Sequence, residues 1–345
     1  MSRTESGNAN PGLGTHAAAV NPAAGKTATA TAVRAESGPP LSGWARLRLL
    51  LEMIRFSHTV FALPFAMLAA VMAWTTPTPS GERLPFMPVQ LFAILVCMVG
   101  ARNTAMAFNR LADQRIDALN PRTKNRHLPS GALSIASVIR FTVVSAAVFV
   151  AGTFLFLPNP LPVILALPVL AFLCLYSYTK RFTAGAHFWL GAALMLAPVA
   201  TWIALRGSVL LDTPLDALPA VVLGTAVLFW VAGFDMIYAC QDAEFDAEHR
   251  LKSVPAVLGV TGALRLAAVS HLVMIVVLAA FPWICPQLGL SWPYGIGIAA
   301  VAVMLAYEHS LVRPDDLTRV NVAFFNINAM VSIGLFIVGT IDLLT

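Results

Sequence analysis

Charged side chains are scarce in this sequence. Asp, Glu, Lys and Arg make up 11% of its 345 residues and hydrophobic residues 58%, whereas soluble globular domains carry about 25% charged residues. This shortage, with a mean hydropathy of +0.76, argues against the two soluble domains that the length alone would suggest. Because backbone polar groups in lipid must be hydrogen-bonded within their own segment, we predict a single bundle of membrane-spanning helices.

Cysteine is rare as well. The four cysteines are scattered, mostly through apolar runs, with neither the spacing of a metal centre nor that of a disulfide framework: Cys97, Cys174, Cys240 and Cys285. We therefore expect them to pack against other helices or to face lipid.

The first 43 residues lack large apolar side chains. They are rich in Ala, Thr, Gly, Pro, Ser and Asn, and they contain no continuous apolar stretch of the kind found in a signal peptide. Because such a segment cannot bury enough surface to fold alone, we predict that residues 1–43 form a disordered cytoplasmic tail. A segment that binds a partner is the alternative.

Residues 44–345 are predicted to form one transmembrane domain. They contain nine apolar runs of about 20 residues, the length that a helix needs to cross the hydrocarbon. The runs lie near 53–75, 89–112, 135–157, 161–179, 184–205, 217–240, 261–283, 293–311 and 319–343.

The net charge of +5 is distributed unevenly over the connections. Nucleic-acid binding is not indicated, because the basic residues lie between apolar runs. With the N-terminus inside, the outside loops hold only Arg83 and Arg206, which is the asymmetry that the positive-inside rule describes. We therefore predict a multi-pass protein of the inner (cytoplasmic) membrane, all-α, with nine helices around a central cavity that opens to the cytoplasm.

Acidic residues concentrate at two predicted helix ends on that cytoplasmic side. Asn109, Asp113 and Asp117 follow one another at intervals of four at the end of the second run. Each step of four drifts by only about 40° on a helix, so the three side chains share a face. Asp242 and Asp246 repeat the spacing after the sixth run.

Hard oxygen ligands of this kind suit Mg²⁺, which takes one or two carboxylates together with phosphate oxygens and water. The plainer interpretation is that the acidic residues are solvated helix ends. However, an acidic group at a helix C-terminus opposes the helix dipole, and acidic residues near the membrane tend to be functional. We therefore predict a magnesium site formed by both clusters.

Basic residues follow both acidic clusters. Arg122, Lys124 and Arg126 come after the first, and Lys252 comes after the second. A diphosphate needs cationic side chains opposite its metal ions, and arginine can bind it through two hydrogen bonds. Membrane topology alone is the alternative for any one of these residues.

Two further charges lie inside apolar runs. Arg102 precedes Asn109 by seven residues, and Asp235 precedes Asp242 by the same interval. Seven residues return a helix to nearly the same face about 10 Å deeper, so both side chains are expected in the same cavity. One interpretation is a structural Arg102–Asp235 pair; the other is that Arg102 binds an acidic or phenolic acceptor.

Tyrosines flank the predicted site. Tyr176 and Lys180 lie four residues apart at the end of the fourth run, and Tyr238 lies between Asp235 and Asp242. A tyrosine of the interfacial belt with a snorkelling lysine is the plain interpretation of the first pair. Beside the acidic clusters, the same pair could also contact the diphosphate through its lysine and present a π face through its tyrosine.

These motifs resemble the signatures of the UbiA-type aromatic prenyltransferases. The first signature is similar to Asn109-x3-Asp113-x3-Asp117 with the following 125–131 segment (NRHLPSG), and the second to Asp235-x2-Tyr238-x3-Asp242-x3-Asp246 with Lys252-Ser253. Tyr176-x3-Lys180 is similar to a third family element. The resemblance covers about residues 45–345, and it implies a UbiA-like bundle of nine helices.

The resemblance also implies site roles. Mg²⁺ and diphosphate would be bound by Asn109, Asp113, Asp117, Asp242 and Asp246. The diphosphate would also be contacted by Arg122, Lys124, Arg126, Lys180 and Lys252. Arg102 would bind an aromatic carboxylate.

The implied reaction is Mg²⁺-dependent transfer of a polyprenyl group from its diphosphate to an aromatic acid in quinone biosynthesis. The implied acceptor is 4-hydroxybenzoate or a dihydroxynaphthoate, because longer strings such as 229–242 (FWVAGFDMIYACQD) resemble a 4-hydroxybenzoate polyprenyltransferase-like branch with members assigned to the futalosine route to menaquinone. Tyr176 or Tyr238 would stabilise the allylic cation, and Asp235 or the diphosphate would take the released proton. The alternatives are transfer to haem, homogentisate or chlorophyllide, and a transporter with Arg102 and Asp235 on an ion pathway.

Overall fold

The structure is a computed structural model that describes residues 43–54 and 61–345. Almost all of these residues are helical, and within them the only β pairing is a single bridge between Arg313 and Asp316. The predicted tail lies outside the described residues except for its last residue, Gly43, which begins the first helix.

Thirteen helical segments follow one another in the described residues. They are α1 (Gly43–Met53), α2 (Leu63–Thr75), α3 (Pro88–Ala112), α4 (Gln114–Leu119), α5 (Ile135–Thr153), α6 (Leu161–Thr179), α7 (Ala186–Asp212), α8 (Leu218–Ala239), α9 (Ala243–Glu248), α10 (Val254–Ile284), α11 (Trp292–Ser310), α12 (Val320–Val322) and α13 (Asn328–Leu344). A π-turn, Ala323–Ile327, joins the last two.

Seven helices in the described residues are long and apolar enough to cross a membrane. They match seven of the nine predicted runs. The other two correspond to α2, which has 13 residues, and α11, which has 19. The predicted first run, 53–75, also includes residues outside the described part, so its continuity is not described.

Local sequence signals explain where several helices begin. Proline, which lacks the N–H that a first helical turn leaves unpaired, lies in the opening turn of α2, α3, α8 and α10. Ser253 also caps α10, since its side chain accepts a hydrogen bond from the Ala256 backbone N–H. Gly259, with φ +69°, then breaks the helical geometry of α10 just before the predicted run that begins near residue 261.

The bundle packs around α8, whose span is the most buried of the seven. Gly191 of α7 lies against α8, and a Cβ at that position would collide with the Leu228 carbonyl. A Cβ at Gly100 of α3 would lie 2.9 Å from the Phe149 backbone nitrogen of α5. Small residues therefore allow these close helix approaches.

Arg206 corrects the predicted topology in one detail. The sequence placed it in an outside loop, but it lies within α7 and is 0% exposed. Its guanidinium binds Asp216 at 2.6 and 2.7 Å and donates to the carbonyls of Ala73 and Thr76 at the end of α2. The side chain is buried because it closes the bundle at the end opposite the acidic motifs.

A buried polar cluster lies beside the π-turn. Asn328 donates to Glu308 at 2.8 Å and to the Ala323 and Phe324 carbonyls, and it accepts from the Trp230 indole at 2.6 Å. A π-turn shifts the backbone hydrogen-bond register, and the Asn328 amide binds two of its carbonyls. Glu308 and Asn328 therefore form hydrogen bonds between packed helices.

Candidate functional site

One cavity of about 600 Å³ brings both acidic motifs together. Its walls come mainly from α3, α6, α7 and α8 and from the connections that follow α3 and α8. Of the residues predicted for the site, all but Lys124 and Lys252 line it: Arg102, Asn109, Asp113, Asp117, Arg122, Arg126, Tyr176, Lys180, Asp235, Tyr238, Asp242 and Asp246.

The first acidic motif does not lie on one continuous helix. The backbone leaves helical geometry at Asp113 (φ −95°, ψ 4°), where α3 ends, and α4 begins at the next residue. The i→i+4 backbone hydrogen bonds nevertheless continue, from Asp113 N to Asn109 O at 2.9 Å and from Asp117 N to Asp113 O at 2.8 Å. The three side chains therefore stay on one side, as the spacing predicted.

Cationic side chains bind both aspartates of this motif. Asp113 lies 3.4 Å from Lys180 Nζ and 3.3 Å from Arg181 Nη2. Asp117 accepts from Arg126 Nη1 at 2.8 and 2.9 Å. Each aspartate is 5% exposed. Buried carboxylates need such partners, because an unpaired buried charge is strongly unfavourable.

The second motif follows α8, where Asp242 (φ −108°, ψ 8°) separates a 3₁₀ turn from α9. Asp242 is bound by residues of the first connection: Arg122 Nε donates to Oδ1 at 2.8 Å, Arg122 Nη2 contacts Oδ2, and Asn120 Nδ2 donates at 3.0 Å. Arg122 Nη1 also donates to the Tyr238 hydroxyl at 2.9 Å. The connection after the first motif therefore reaches across the cavity mouth to the second.

Arg122 is held in its charged form. Burial acts to lower the pKa of its guanidinium, but hydrogen bonds and the charge of Asp242, with a contribution from Tyr238, outweigh burial and raise that pKa. Arg122 stays protonated at any physiological pH.

Asp246 completes the second motif from α9. It is 7% exposed and lies within electrostatic range of Lys180 and Asp242. The Leu251 N–H donates to the Asp246 carbonyl at 2.8 Å, and the Lys252 N–H donates to the Lys180 carbonyl at 2.7 Å. The loop after the second motif is thereby tied to the end of α6.

The deeper charges share the cavity but do not form the predicted alternative pair. Asp235 Oδ2 lies 2.7 Å from His187 Nδ1, and Arg102 Nη1 donates to the Ile54 carbonyl at 3.3 Å. A pairing of Arg102 with Asp235 is absent from the ion pairs of the described residues. The structural interpretation of these two residues as partners is therefore wrong.

Aromatic rings form part of the wall beside the acidic motifs. The Tyr238 ring lies 4.4 Å from the Phe324 ring, between centroids, and Phe324 is 5.3 Å from Phe234. Tyr176 is close enough to Asp235 and Asp113 to feel both charges. Both predicted tyrosines therefore present π surface near the anionic end of the cavity.

Lys124 and Lys252 have exposed side chains and lie outside the cavity lining, although each is next in sequence to a lining residue, Thr123 and Ser253. Their contact with a diphosphate stays a prediction.

Sequence reasoning missed four contact residues: Arg110, Asn120, Arg181 and His187. For Arg110 and Arg181, basic residues at the ends of spans, membrane topology is a sufficient explanation from sequence, and a lone Asn or His carries no spacing pattern. Asn120 is adjacent to Pro121, and its side chain accepts from the Arg122 N–H at 2.8 Å. An Asn before a Pro indicates a turn, but it does not indicate the contact with Asp242.

The oxygen donors agree in kind with Mg²⁺, since they are carboxylates and one amide. In the described residues no three carboxylate, imidazole or thiolate side chains converge as a metal centre, and Asp113, Asp117 and Asp242 are each bound by Arg or Lys. Mg²⁺ usually takes only one or two carboxylates, with phosphate oxygens and water completing its shell. The donor set therefore fits a cation that binds together with a phosphate-bearing substrate.

Comparison with known proteins identifies relatives over most of the chain. The UbiA prenyltransferase family profile matches residues 61–330. A protein named 4-hydroxybenzoate octaprenyltransferase, from Alcanivorax borkumensis, is 31% identical over 255 residues, which are 71% of this chain and 82% of that protein.

Solved structures share the fold. The apo structure of a UbiA homolog from Aeropyrum pernix K1 has a TM-score of 0.69 and 31% identity, and the match covers 83% of this chain and 97% of that one. A UbiA homolog from Archaeoglobus fulgidus bound to GPP and Mg²⁺ has a TM-score of 0.62, and the match covers 84% of this chain and 99% of that one. At 17% identity, that second likeness concerns the fold alone.

Proposed function

Since the chain belongs to the UbiA prenyltransferase family, we propose that it transfers a polyprenyl group from its diphosphate to an aromatic carboxylic acid. The observation that carries this proposal is the single cavity lined by both acidic motifs and, deeper, by Arg102 and Asp235. A membrane prenyltransferase is an enzyme, so the transporter alternative is set aside.

The donor diphosphate is proposed to bind at the acidic end of the cavity. Mg²⁺ would be held by Asn109, Asp113, Asp117, Asp242 and Asp246. The GPP and Mg²⁺ bound to the Archaeoglobus homolog support Mg²⁺ as the cation. Bound Mg²⁺ supplies neutralisation of the charge that builds on a leaving diphosphate.

The basic side chains around those carboxylates are proposed to bind the diphosphate oxygens. Arg122, Arg126 and Lys180 line the cavity, and their ammonium or guanidinium groups now bind the carboxylates. A guanidinium that leaves a carboxylate for a phosphate keeps a charge-assisted hydrogen bond in both states. Lys124 and Lys252 are proposed to add attraction from the exposed side.

The prenyl chain is proposed to occupy the apolar part of the cavity. Side chains of α5, α6 and α7 line it there, including Phe149, Leu165, Val169 and Val199. Because α6 is the least buried of the seven spans, a long chain has a route past it into lipid. An apolar, water-poor wall also protects an allylic cation from hydrolysis.

In the proposed reaction the C1–O bond of the prenyl diphosphate breaks, and its electron pair leaves with the diphosphate. The acceptor ring carbon ortho to a hydroxyl then forms a bond to C1. The proton of that carbon leaves, and its bonding electrons restore the aromatic ring. Tyr176 and Tyr238 are proposed to face the cationic carbon with their π surfaces.

Arg102 is proposed to bind the carboxylate of the acceptor. It carries a positive charge about 10 Å below the level of Asn109 and lines the same cavity. The Alcanivorax relative, a 4-hydroxybenzoate octaprenyltransferase by name, supports 4-hydroxybenzoate as the acceptor, and the branch resemblance supports a dihydroxynaphthoate. Both carry the carboxylate and hydroxyl that this geometry requires, and either would place the enzyme in quinone biosynthesis.

The test is an acceptor panel with purified protein, labelled polyprenyl diphosphate and Mg²⁺. The panel contains 4-hydroxybenzoate, a dihydroxynaphthoate, homogentisate, haem and chlorophyllide. We expect labelled product with one of the two hydroxylated aromatic acids. Product with only haem or chlorophyllide would reject the acceptor class.

The membrane orientation is also part of this proposal. In the described residues the connections on the acidic-motif side carry nearly all the loop Lys and Arg, whereas Arg83 is the basic loop residue on the other side. We propose that the site opens to the cytoplasm of a bacterial inner membrane. A cysteine introduced near Lys124 should be labelled from the cytoplasmic side only.

A further inference from the structure

His187 is a buried histidine in the cavity wall. It lies in the first turn of α7, is 4% exposed, and contacts Asp235 of α8 through Nδ1 and Oδ2 at 2.7 Å. Both side chains line the cavity. The deepest acidic residue of the site therefore has a histidine partner rather than a cation.

A second contact fixes the protonation state of this imidazole. The Val254 backbone N–H, at the start of α10, donates to His187 Nε2 at 3.2 Å. Nε2 must therefore carry a lone pair, and the proton must be on Nδ1, where it points to Asp235. A second proton on Nε2 would break the Val254 contact, so this geometry holds a neutral imidazole.

The neutral partner has a consequence for Asp235. The carboxylates nearer the cavity mouth, Asp113, Asp117 and Asp242, are neutralised by Arg or Lys. Asp235 receives a hydrogen bond but no compensating charge from His187, so no cation occupies its carboxylate among the described ion pairs. Its side chain is 19% exposed, and in the described part of the chain Oδ1 has no hydrogen-bond partner.

Other charged groups are near this pair. Asp113, Asp235 and Arg110 are all within electrostatic range of Tyr176, and His187 and Lys180 are within electrostatic range of Asp246. The two nearby cations, Arg110 and Lys180, pair with Asp117 and Asp113 rather than with Asp235. None of the groups packed against the pair supplies a cation to it among the described ion pairs.

We infer that His187 is a positioning residue for prenyl transfer: its Nδ1–H holds Oδ2 of Asp235, so that Oδ1 faces the cavity and accepts the proton released by the acceptor. The inference rests on the proposed function. The ring C–H bond breaks, its electrons return to the ring, and the proton forms an O–H bond with Asp235, which loses it to solvent before the next turnover. His187 keeps its own proton throughout.

The test compares His187→Leu with His187→Gln in purified full-length protein. Glutamine offers an N–H to Asp235 and an oxygen to the Val254 N–H, so it reproduces both contacts, whereas leucine reproduces neither. We expect His187→Leu to lower kcat about ten- to hundredfold, the range for losing a group that orients a functional residue. The KM values of both substrates should change little, and His187→Gln should recover most of kcat.

His271 provides a matched control for the loss of a buried imidazole. It is 3% exposed, lies on α10 and contacts His309 and the Trp230 carbonyl, outside the cavity lining. His271→Leu should lower thermal stability and leave kcat close to wild type. A structural role for His187 alone would instead make the two leucine variants alike in kcat per folded molecule.

The outcomes separate the inference from the proposed function. If the wild-type protein transfers prenyl groups to none of the acceptors, the proposed function is wrong. If the wild type is active and His187→Leu keeps a normal kcat, only the inference about His187 is wrong. The same holds if His187→Gln folds but is as slow as His187→Leu. If the leucine variant does not fold, His187→Phe replaces it, because its ring fills a similar volume but offers neither an N–H to Asp235 nor an acceptor to Val254, and kcat should again fall.

Discussion

The Arg122 guanidinium connects the two acidic motifs. It comes from the loop after the first motif, yet its Nε donates to Asp242 Oδ1 of the second at 2.8 Å and its Nη1 to the Tyr238 hydroxyl at 2.9 Å. Asn120 supports the same carboxylate at 3.0 Å. The Arg122 guanidinium therefore neutralises the Asp242 carboxylate, which the proposed function assigns to the Mg²⁺ and diphosphate site.

Arg122→Ala is predicted to have opposite effects on two ligands. Without the competing guanidinium, Asp242 should bind Mg²⁺ more tightly in substrate-free protein. Prenyl diphosphate should bind more weakly, with KM raised about tenfold or more, because a hydrogen bond to a charged group contributes about 1.5–3 kcal/mol. Calorimetric Mg²⁺ titration and steady-state kinetics measure the two effects.

Arg115→Ala is the control for that variant, since Arg115 is exposed and outside the cavity lining. It should change neither quantity. Weaker Mg²⁺ binding in Arg122→Ala, or an unchanged KM, would show that Arg122 does not exchange between carboxylate and phosphate.

Arg102→Ala is predicted to discriminate between acceptors. Transfer to an acceptor with a carboxylate should fall about ten- to hundredfold in kcat/KM, the equivalent of one lost charge-assisted contact. Transfer to a neutral phenol of the same shape should fall much less. Arg140→Ala, at an exposed position of α5, serves as the control. Equal losses with both acceptors would remove the proposed carboxylate contact.

The apolar pattern was sufficient to predict most of the fold, because a spanning helix needs an uninterrupted stretch of suitable length. The predicted run 161–179 coincides with α6, and the intervals of four placed Asp113 and Asp117 on one side of the cavity. Arg206 was misplaced because a charge normally ends a span, and here contacts distant in sequence bury it.

Other features of the site depend on tertiary contacts that no local pattern encodes. His187 lies 48 residues from Asp235 and 67 from Val254. Arg122 lies 120 residues from Asp242. Spacing along one helix predicts which side chains share a face, but not which face of another helix they meet.

Neutralising the basic residues one at a time should give a graded result. Arg126→Gln leaves Asp117 without its 2.8 Å partner and should lower kcat/KM about tenfold or more. Lys124→Gln and Lys252→Gln remove exposed charges, so their effects should be smaller and should fade as salt is added. A Lys124→Gln loss as large as that of Arg126→Gln, and insensitive to salt, would place Lys124 directly on the diphosphate.

Arg206→Met is predicted to destabilise the bundle without altering the chemistry. It leaves Asp216 without its cation and removes a donor from the Ala73 and Thr76 carbonyls. Breaking a buried ion pair in this way costs about 3–5 kcal/mol. Thermal unfolding in detergent measures the effect, and Arg83→Met, at an exposed position, should be neutral. An unchanged melting temperature for Arg206→Met would contradict the assignment.

The most direct measurement is Mg²⁺-dependent transfer of a labelled prenyl group by purified Asp113→Asn and Asp242→Asn beside wild type. Each substitution removes one charge from a different motif and preserves the size of the side chain. If the motifs serve one reaction, each should lower the transfer rate about 10²- to 10³-fold, as expected when electrostatic stabilisation of a transition state is removed. Near-normal, Mg²⁺-dependent transfer in either variant would contradict a reaction centre shared by the two motifs.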